Sequence, residues 1–423
     1  MTADGFFLSE WRARRPGQRR SLRRARDLAD ALGLRANLPP LLSVVGSKGK
    51  GTTATYASAC LAATGIRVVT VTGPGYRRSN ERIRLDGRAI DDTALSGLAR
   101  RLQVAVRALP RDDATCGGGY LAPTGLFTLA GVLHARDMAA DAIVLEAGMG
   151  GRSDEISLFA PDVVALTSIF AEHVGKLGDT PAEIAREKAA IVTRQTRAVL
   201  TVPQRDEVWR AIDAMVEERS RETLRPEIVY PGTTPVPQPL LPPGLSARGA
   251  ELGCAAALRL LDVAGVPRQS GADLATALGS VRLPGRLSRH ALPGSSTELI
   301  VDAASNQAAV ATALAIARTW WPRIDHALVS LPDHKDVAGA ISELAGVPVM
   351  FVRLPDDHLR FTHPLPGDWS VIDAADLTRE LVAGLGGRVI ALGTVYFAGM
   401  ILDLADADTQ RLFLAQKFGL TRE

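Results

Sequence analysis

A glycine-rich turn between a buried strand and a helix restricts the fold of this chain more than any other stretch. Leu41 to Val45 reads as a buried strand, and Thr52 to Thr64 reads as a helix closed by Gly65. Between them lies Gly46-Ser47-Lys48-Gly49-Lys50-Gly51-Thr52-Thr53. Glycines there let backbone N–H groups crowd around phosphate oxygens, and the start of a helix adds a favourable dipole. Lys50 is placed to neutralise the β- and γ-phosphates of a nucleotide, and the Thr52 hydroxyl to sit on Mg²⁺. The general phosphate loop has Ser or Thr directly after its lysine. Here Gly51 intervenes.

The same alternation of apolar runs and helix-period segments continues beyond the loop. Val68 to Val71, Ala142 to Leu145 and Val163 to Thr167 read as strands. Thr180-Pro181-Ala182-Glu183 is a capping box with proline at the first helical position, so a helix should run on through Lys188. Pro231 to Pro243 reads as a surface loop. After Pro284-Gly285 the alternation begins again, with strands expected at Glu298 to Val301, His326 to Val329, Val347 to Val352 and Arg388 to Leu392. The expected architecture is α/β: a phosphate-loop-containing, doubly wound N-terminal domain over 1–285 and a smaller Rossmann-like α/β domain over 286–423.

Composition removes several function classes. The chain has 46% hydrophobic and 22% charged residues, enough to bury sizeable cores, and no apolar run of spanning length. Its N-terminus lacks the order of a secretory signal, and Cys60, Cys116 and Cys254 fit neither a disulfide framework nor a zinc site. A cytoplasmic monomer without membrane or nucleic-acid partners is expected, since a net charge of +3 is small. The basic cluster Arg12, Arg14, Arg15, Arg19, Arg20, Arg23, Arg24 and Arg26 reads as a solvated helix face. Lysine is used sparingly, at 48, 50, 176, 188, 335 and 417 only, and several of these fall inside the motifs.

The loop with glycine between its lysine and hydroxyl residues resembles the variant phosphate loop of the folylpolyglutamate synthases, within the Mur ligase superfamily. The resemblance continues through Asn80-Glu81-Arg82-Ile83, Leu145-Glu146-Ala147-Gly148-Met149-Gly150-Gly151-Arg152-Ser153-Asp154, Thr167-Ser168-Ile169 with His173, and Ile184-Ala185-Arg186-Glu187-Lys188-Ala189. It resumes at Pro284-Gly285-Arg286-Leu287, Asp302-Ala303-Ala304-Ser305-Asn306 and Lys335-Asp336. It implies an ATP-dependent carboxylate–amine ligase working through an acyl phosphate and adding an amino acid such as glutamate. Phosphoryl transfer of this kind asks mainly for positioning and charge neutralisation. Glu146, at the end of an apolar strand, lies where ligands bind in such sheets. The resemblance makes it a Mg²⁺ ligand, His173 a ligand of a second Mg²⁺, and Lys188 a carbamylated residue that helps hold the metal. It gives Arg286 to a nucleotide phosphate and Asp302 to the ribose. Tyr76, Arg82, Asp154, Ser305, Lys335 and Asp336 fall on the side of the carboxylate and amino-acid substrates, Asp154 at a pterin-side position.

The chain also departs from the family pattern. Ser-Pro-His becomes Gly73-Pro74-Gly75, and a histidine after Asp302 is replaced near Ser305. Lys48 stands where asparagine is usual. The nucleotide core is better kept than the substrate edges, which leaves three readings open. They are a folate-glutamylating ligase, a ligase recruited to another acid–amine pair, and a nucleotide-binding protein without catalysis. Poor activity with tetrahydrofolate and glutamate is the expectation from the lost polar groups.

Overall fold

The computed structural model describes residues 2–109, 119–220, 224–268, 270–356 and 359–415, so Cys116 and Lys417 lie outside the described residues. Among these, the first sheet comprises β1 (Leu41–Val45), β2 (Val68–Val71), β3 (Ile83–Leu85), β4 (Arg88–Ala89), β5 (Ala142–Glu146), β6 (Val163–Leu166), β7 (Ala198–Thr201) and β8 (Glu227–Ile228). Their order is β4-β3-β2-β5-β1-β6-β7-β8. The run from β2 to β8 is parallel, and β3 and β4 add an antiparallel edge. Every residue of β1 is buried, as a strand covered on both faces requires.

The helices of this domain are α1 (Ala3–Ala13), α2 (Leu22–Ala31), α3 (Lys50–Ala62), α4 (Asp92–Ala108), α5 (Pro123–Asp137), α6 (Pro181–Ala189), α7 (Asp206–Arg219), α8 (Ser246–Ala264) and α9 (Gly271–Gly279). α3, α8 and α9 cover one face, and the others cover the opposite face. The capping box predicted at Thr180 is present in both directions, with Glu183 N–H donating to Thr180 Oγ1 and the Glu183 carboxylate accepting from Thr180 N–H.

A second sheet begins with β9 (Ser288–Ala291) and continues through β10 (Glu298–Asp302), β11 (His326–Ser330), β12 (Val349–Arg353), β13 (Ser370–Asp373) and β14 (Arg388–Gly393). Its order is β13-β12-β11-β14-β10-β9, parallel except for β9. α10 (Gln307–Trp320) and α11 (Val337–Glu343) cover one face, and α12 (Arg379–Gly384) and α13 (Val395–Leu404) the other. β9 was not expected. Its sequence Ser-Arg-His-Ala is polar, and it becomes a strand by pairing along the exposed edge of β10.

The end of the expected 286–423 domain also makes contacts with the first domain. Ala89 N–H donates to the Gln410 carbonyl at 2.8 Å, Leu412 N–H to Gly87 at 3.0 Å, and Arg282 N–H to Leu412 at 2.7 Å. Leu412 and Phe413 are buried in the first domain's core. The chain returns to the first domain because these two apolar side chains find cover there.

α8 lies close against α3, the helix that carries the phosphate loop. A Cβ on Gly253 would stand 2.3 Å from the Thr53 carbonyl oxygen, whereas one on Gly97 in α4 would meet nothing within 4 Å. Gly253→Ala should therefore cost about 1–3 kcal/mol of stability by overpacking. Gly97→Ala should cost none, since alanine is the better helix former. Chemical unfolding of the two variants checks the contrast.

Candidate active site

Strand order reverses around β1, which lies between β5 and β6, and the loops leaving the three strands open onto one crevice. α3 starts there without a side-chain cap. Its N-cap is Gly49, at φ 92, so first-turn N–H groups remain for a ligand. Gly46 can only be glycine: its φ is 141, and a Cβ would lie 1.9 Å from Thr167 Oγ1. Ser47 N–H donates to the Ser168 carbonyl at 2.9 Å, which pins the loop to the end of β6.

Lys50 folds back over the loop, its Nζ donating to the carbonyls of Gly46 at 3.0 Å and Ser47 at 3.4 Å. Lys188 is only 1% exposed. Its Nζ donates to Gly46 O at 2.8 Å and pairs with Glu172 Oε1 at 2.9 Å. Burial, with Lys50 nearby, pushes the Lys188 ammonium below its ordinary pKa, and Glu172 opposes the shift. Glu146 Oε2 accepts from Gly73 N–H at 3.1 Å, and a Cβ on Gly51 would lie 3.6 Å from the same oxygen. The carboxylate thus sits against the start of α3. Burial raises its pKa, and Lys50 is the chief opposing charge. His173 lies on the exposed loop after β6 with φ 48, a conformation that non-glycine residues seldom adopt. Burial lowers its pKa, against the pull of Glu172.

The second domain brings further charges to the same crevice. Lys48 is held down to about 8 by burial and by Arg286, while Asp302 pulls the other way. Asp302 is itself raised by burial, countered by Arg286 and by the Leu287 N–H that donates to it at 2.7 Å. Lys335 is lowered by burial, in the field of Glu172 and Lys50. Lys48, Lys50 and Glu172 of the first domain therefore face Arg286, Asp302 and Lys335 of the second.

Several expected residues are engaged elsewhere. Thr53 is fully buried, with its hydroxyl turned toward Gly249 of α8 and not toward the loop mouth. Asp336 caps α11 and also accepts from Gln307 N–H at 2.9 Å, so its carboxylate joins two helix starts. Ser305 is buried just before the Asn306 cap of α10. Tyr76, partly buried, packs against the second domain's core. Arg82 does face the crevice: its guanidinium stacks over Phe127 at 4.6 Å, beside Gly73 and in the field of Tyr396 and Glu146.

Asp154 is 1% exposed and accepts from Met149 N–H at 2.9 Å and from Arg20 at 3.3 Å. Arg20 also pairs with Glu155 at 3.2 Å and donates to the Met149 carbonyl at 2.7 Å. Arg24 pairs with Glu10 at 2.7 Å. The basic cluster is therefore not simply a solvated face, because Arg20 ties the N-terminal segment to the glycine-rich loop after Glu146. Sequence reasoning read Arg20 as part of a solvated face and passed over Glu172. Only Glu172, next to His173, carried a local signal.

Among the described residues no three His, Cys, Asp or Glu side chains converge as a metal cage. Mg²⁺ needs no such cage, since it is commonly held by one or two carboxylates together with phosphate oxygens and water. A carboxylate at Glu146 next to a helix start carrying Thr52 fits that donor chemistry.

A phosphate loop, a facing carboxylate and charged groups of a second α/β domain thus meet in one crevice. No family model matches the chain. It is 31% identical over 360 residues to the dihydrofolate synthase/folylpolyglutamate synthase of Mycobacterium tuberculosis, covering 77% of this chain and 72% of that protein. It is 32% identical over 172 residues to the folylpolyglutamate synthase of Lacticaseibacillus casei, 41% of this chain and 40% of that one. Among solved structures, M. tuberculosis folylpolyglutamate synthase complexed with ADP and AMPPCP superposes with a TM-score of 0.76 at 21% identity, covering 96% of this chain and 99% of that one. The apo L. casei enzyme gives 0.77 at 20% identity, covering 95% and 99%. The chain belongs to the dihydrofolate synthase/folylpolyglutamate synthase family of ATP-dependent amide-forming ligases. Among the described residues no helix is long and apolar enough to cross a membrane.

The Arg20 cluster predicts a pH dependence. Glu155 is fully buried, its Oε1 has no partner, and burial beside Asp154 pushes its carboxyl up to about 7, against the pull of Arg20. The unfolded chain releases this proton near the ordinary value of 4.5, while the folded chain keeps it until about 7. Stability from this group is thus present at low pH and lost as pH rises across that interval. Thermal melts should show the decline in wild type and a flatter profile in Glu155→Gln. An unchanged slope in the variant would contradict the assignment.

Proposed function

We propose that this chain uses ATP to activate the carboxylate of a folate-type acceptor and joins it to the amine of glutamate. The observation that carries the reading is the convergence of Lys48, Lys50 and Glu146 with Arg286, Asp302 and Lys335 across one crevice. The choice of folate and glutamate rests on the names of the relatives. The γ-phosphoryl group passes to the acceptor carboxylate and ADP leaves. The amine then attacks the acyl phosphate, an amide bond forms, and phosphate departs. The loop N–H groups and Lys50 hold the phosphates in line, and Lys48 and Arg286 neutralise them from either side. Asp302 takes the ribose, while Arg82 and Lys335 face the substrates.

Glu146 and Thr52 would hold one Mg²⁺, and His173 with a carbamylated Lys188 a second. Bound Mg²⁺ supplies charge neutralisation to the phosphates. Lys188 suits carbamylation because burial favours its neutral amine. That amine adds to CO₂, forming a carbamate anion and releasing a proton. Incubation with ¹³C-bicarbonate should give a carbamate NMR signal that Lys188→Ala lacks. A signal equal in both proteins would contradict it.

One observation favours a second reading, an acceptor other than folate. Asp154 is spent on Arg20, and Gly73 and Gly75 bring no side chain to the crevice. Turnover decides between the two. With MgATP, a reduced folate and glutamate, the first reading predicts ADP, phosphate and a product heavier by one glutamate. Turnover confined to other acid–amine pairs would favour the second. On either reading, Lys50→Ala or Glu146→Ala should lower kcat at least about a hundredfold. Near-normal rates in either variant would contradict the site.

A further inference from the structure

The loop leaving β2, Gly73-Pro74-Gly75-Tyr76-Arg77, touches the catalytic carboxylate at one end and the second domain at the other. At its start, Gly73 N–H donates to Glu146 at 3.1 Å. At its far end the partly buried Tyr76 ring packs against the core that α13 helps form and lies against the domain junction, where a Cβ on Gly285 would stand 3.5 Å from it. The Tyr76 carbonyl approaches α13 so closely that a Cβ on Gly399 would lie 2.0 Å from the oxygen. Arg77 pairs with Asp403 on the same helix and donates to the Ala407 carbonyl.

The first domain holds this turn firmly. Tyr76 and Arg77 N–H both donate to Glu81 Oε2, at 2.7 and 3.1 Å, and Glu81 Oε1 accepts from Thr409 Oγ1 at 2.6 Å. Gly75 is required in the turn, since a Cβ there would fall 2.2 Å from the Arg78 carbonyl oxygen.

The geometry points to Tyr76 as an interdomain positioning residue, which seats the second domain over the phosphate loop and couples that seat, through Gly73, to the orientation of Glu146. Interfaces between domains of one chain ordinarily permit relative motion. Ligation needs cations from both domains on one nucleotide, so a contact that fixes their offset removes reorganisation from the reacting state. The Arg77–Asp403 pair is too exposed to do this alone, with Asp403 57% accessible. The packed ring and the carbonyl against Gly399 carry the seat.

The kinetic part of the test rests on the ligase reading, and the scattering part does not. Full-length wild type, Tyr76→Phe, Tyr76→Ala and Gly399→Ala are compared by small-angle X-ray scattering and by phosphate release with MgATP, a reduced folate and glutamate. Tyr76→Phe keeps the ring and should match wild type in scattering. Tyr76→Ala should show a larger radius of gyration and a kcat at least about tenfold lower, with an unchanged KM for the acceptor. Gly399→Ala, which displaces the Tyr76 carbonyl without altering Tyr76, should move both readouts the same way, and it carries the test if Tyr76→Ala does not fold. A wild-type scattering profile in folded Tyr76→Ala or Gly399→Ala would overturn the proposal, as would a loss confined to KM. Absence of turnover in wild type would defeat the ligase reading while the scattering still decides the role of Tyr76.

Discussion

The Nζ of Lys188 donates to the carbonyl of Gly46, and the active face of the first domain is arranged around that bond. A buried polar nitrogen is costly unless it is hydrogen-bonded, so Gly46 must stay where it is. Gly46 can accept the bond only in a backbone conformation open to glycine. The other side of α6 is just as constrained. Arg152 N–H donates to the Glu187 carbonyl at 3.0 Å, Ser153 N–H to Glu187 Oε1 at 2.7 Å, and a Cβ on Gly151 would lie 2.4 Å from the Lys188 carbonyl. α6, the loop after Glu146 and the phosphate loop therefore form a closed ring of contacts, and moving one moves the others.

Around that ring the charges are unbalanced in a consistent direction. Lys48 and Lys335 are lowered, while Glu146 and Asp302 are raised, with burial the largest cause in every case. Such a crevice favours a polyanion that brings charge to the lysines, together with a divalent cation that brings charge to Glu146. MgATP is both. The second domain contributes because its groups reach the crevice only when it is seated, and the Tyr76 turn and the returning Leu412–Phe413 segment both join the domains.

What the sequence made legible was local. The phosphate loop, the strands from Leu41 and Ala142, and the capping box at Thr180 are each set by residues within a turn of one another. Lys188 is different, because its position in α6 could be read but its burial could not: that depends on Gly46, 142 residues away. β9 exists only because β10 offers an edge, and Leu412 and Phe413 leave their domain because cover lies in the other one. The same holds for Arg20, whose partners Asp154 and Glu155 lie beyond any local pattern. Thr53 and Asp336 show the same dependence on distant partners. Their motif positions suggested ligands, but the facing helices use them for packing and capping.

The central claim is that the two domains together transfer a phosphoryl group to a carboxylate before the amide forms. Isotope tracing tests it most directly. If the acceptor carboxylate is labelled with ¹⁸O and turned over with MgATP and glutamate, one labelled oxygen should appear in the inorganic phosphate released at each turnover. Label appearing in AMP, or phosphate free of label while amide accumulates, would contradict it.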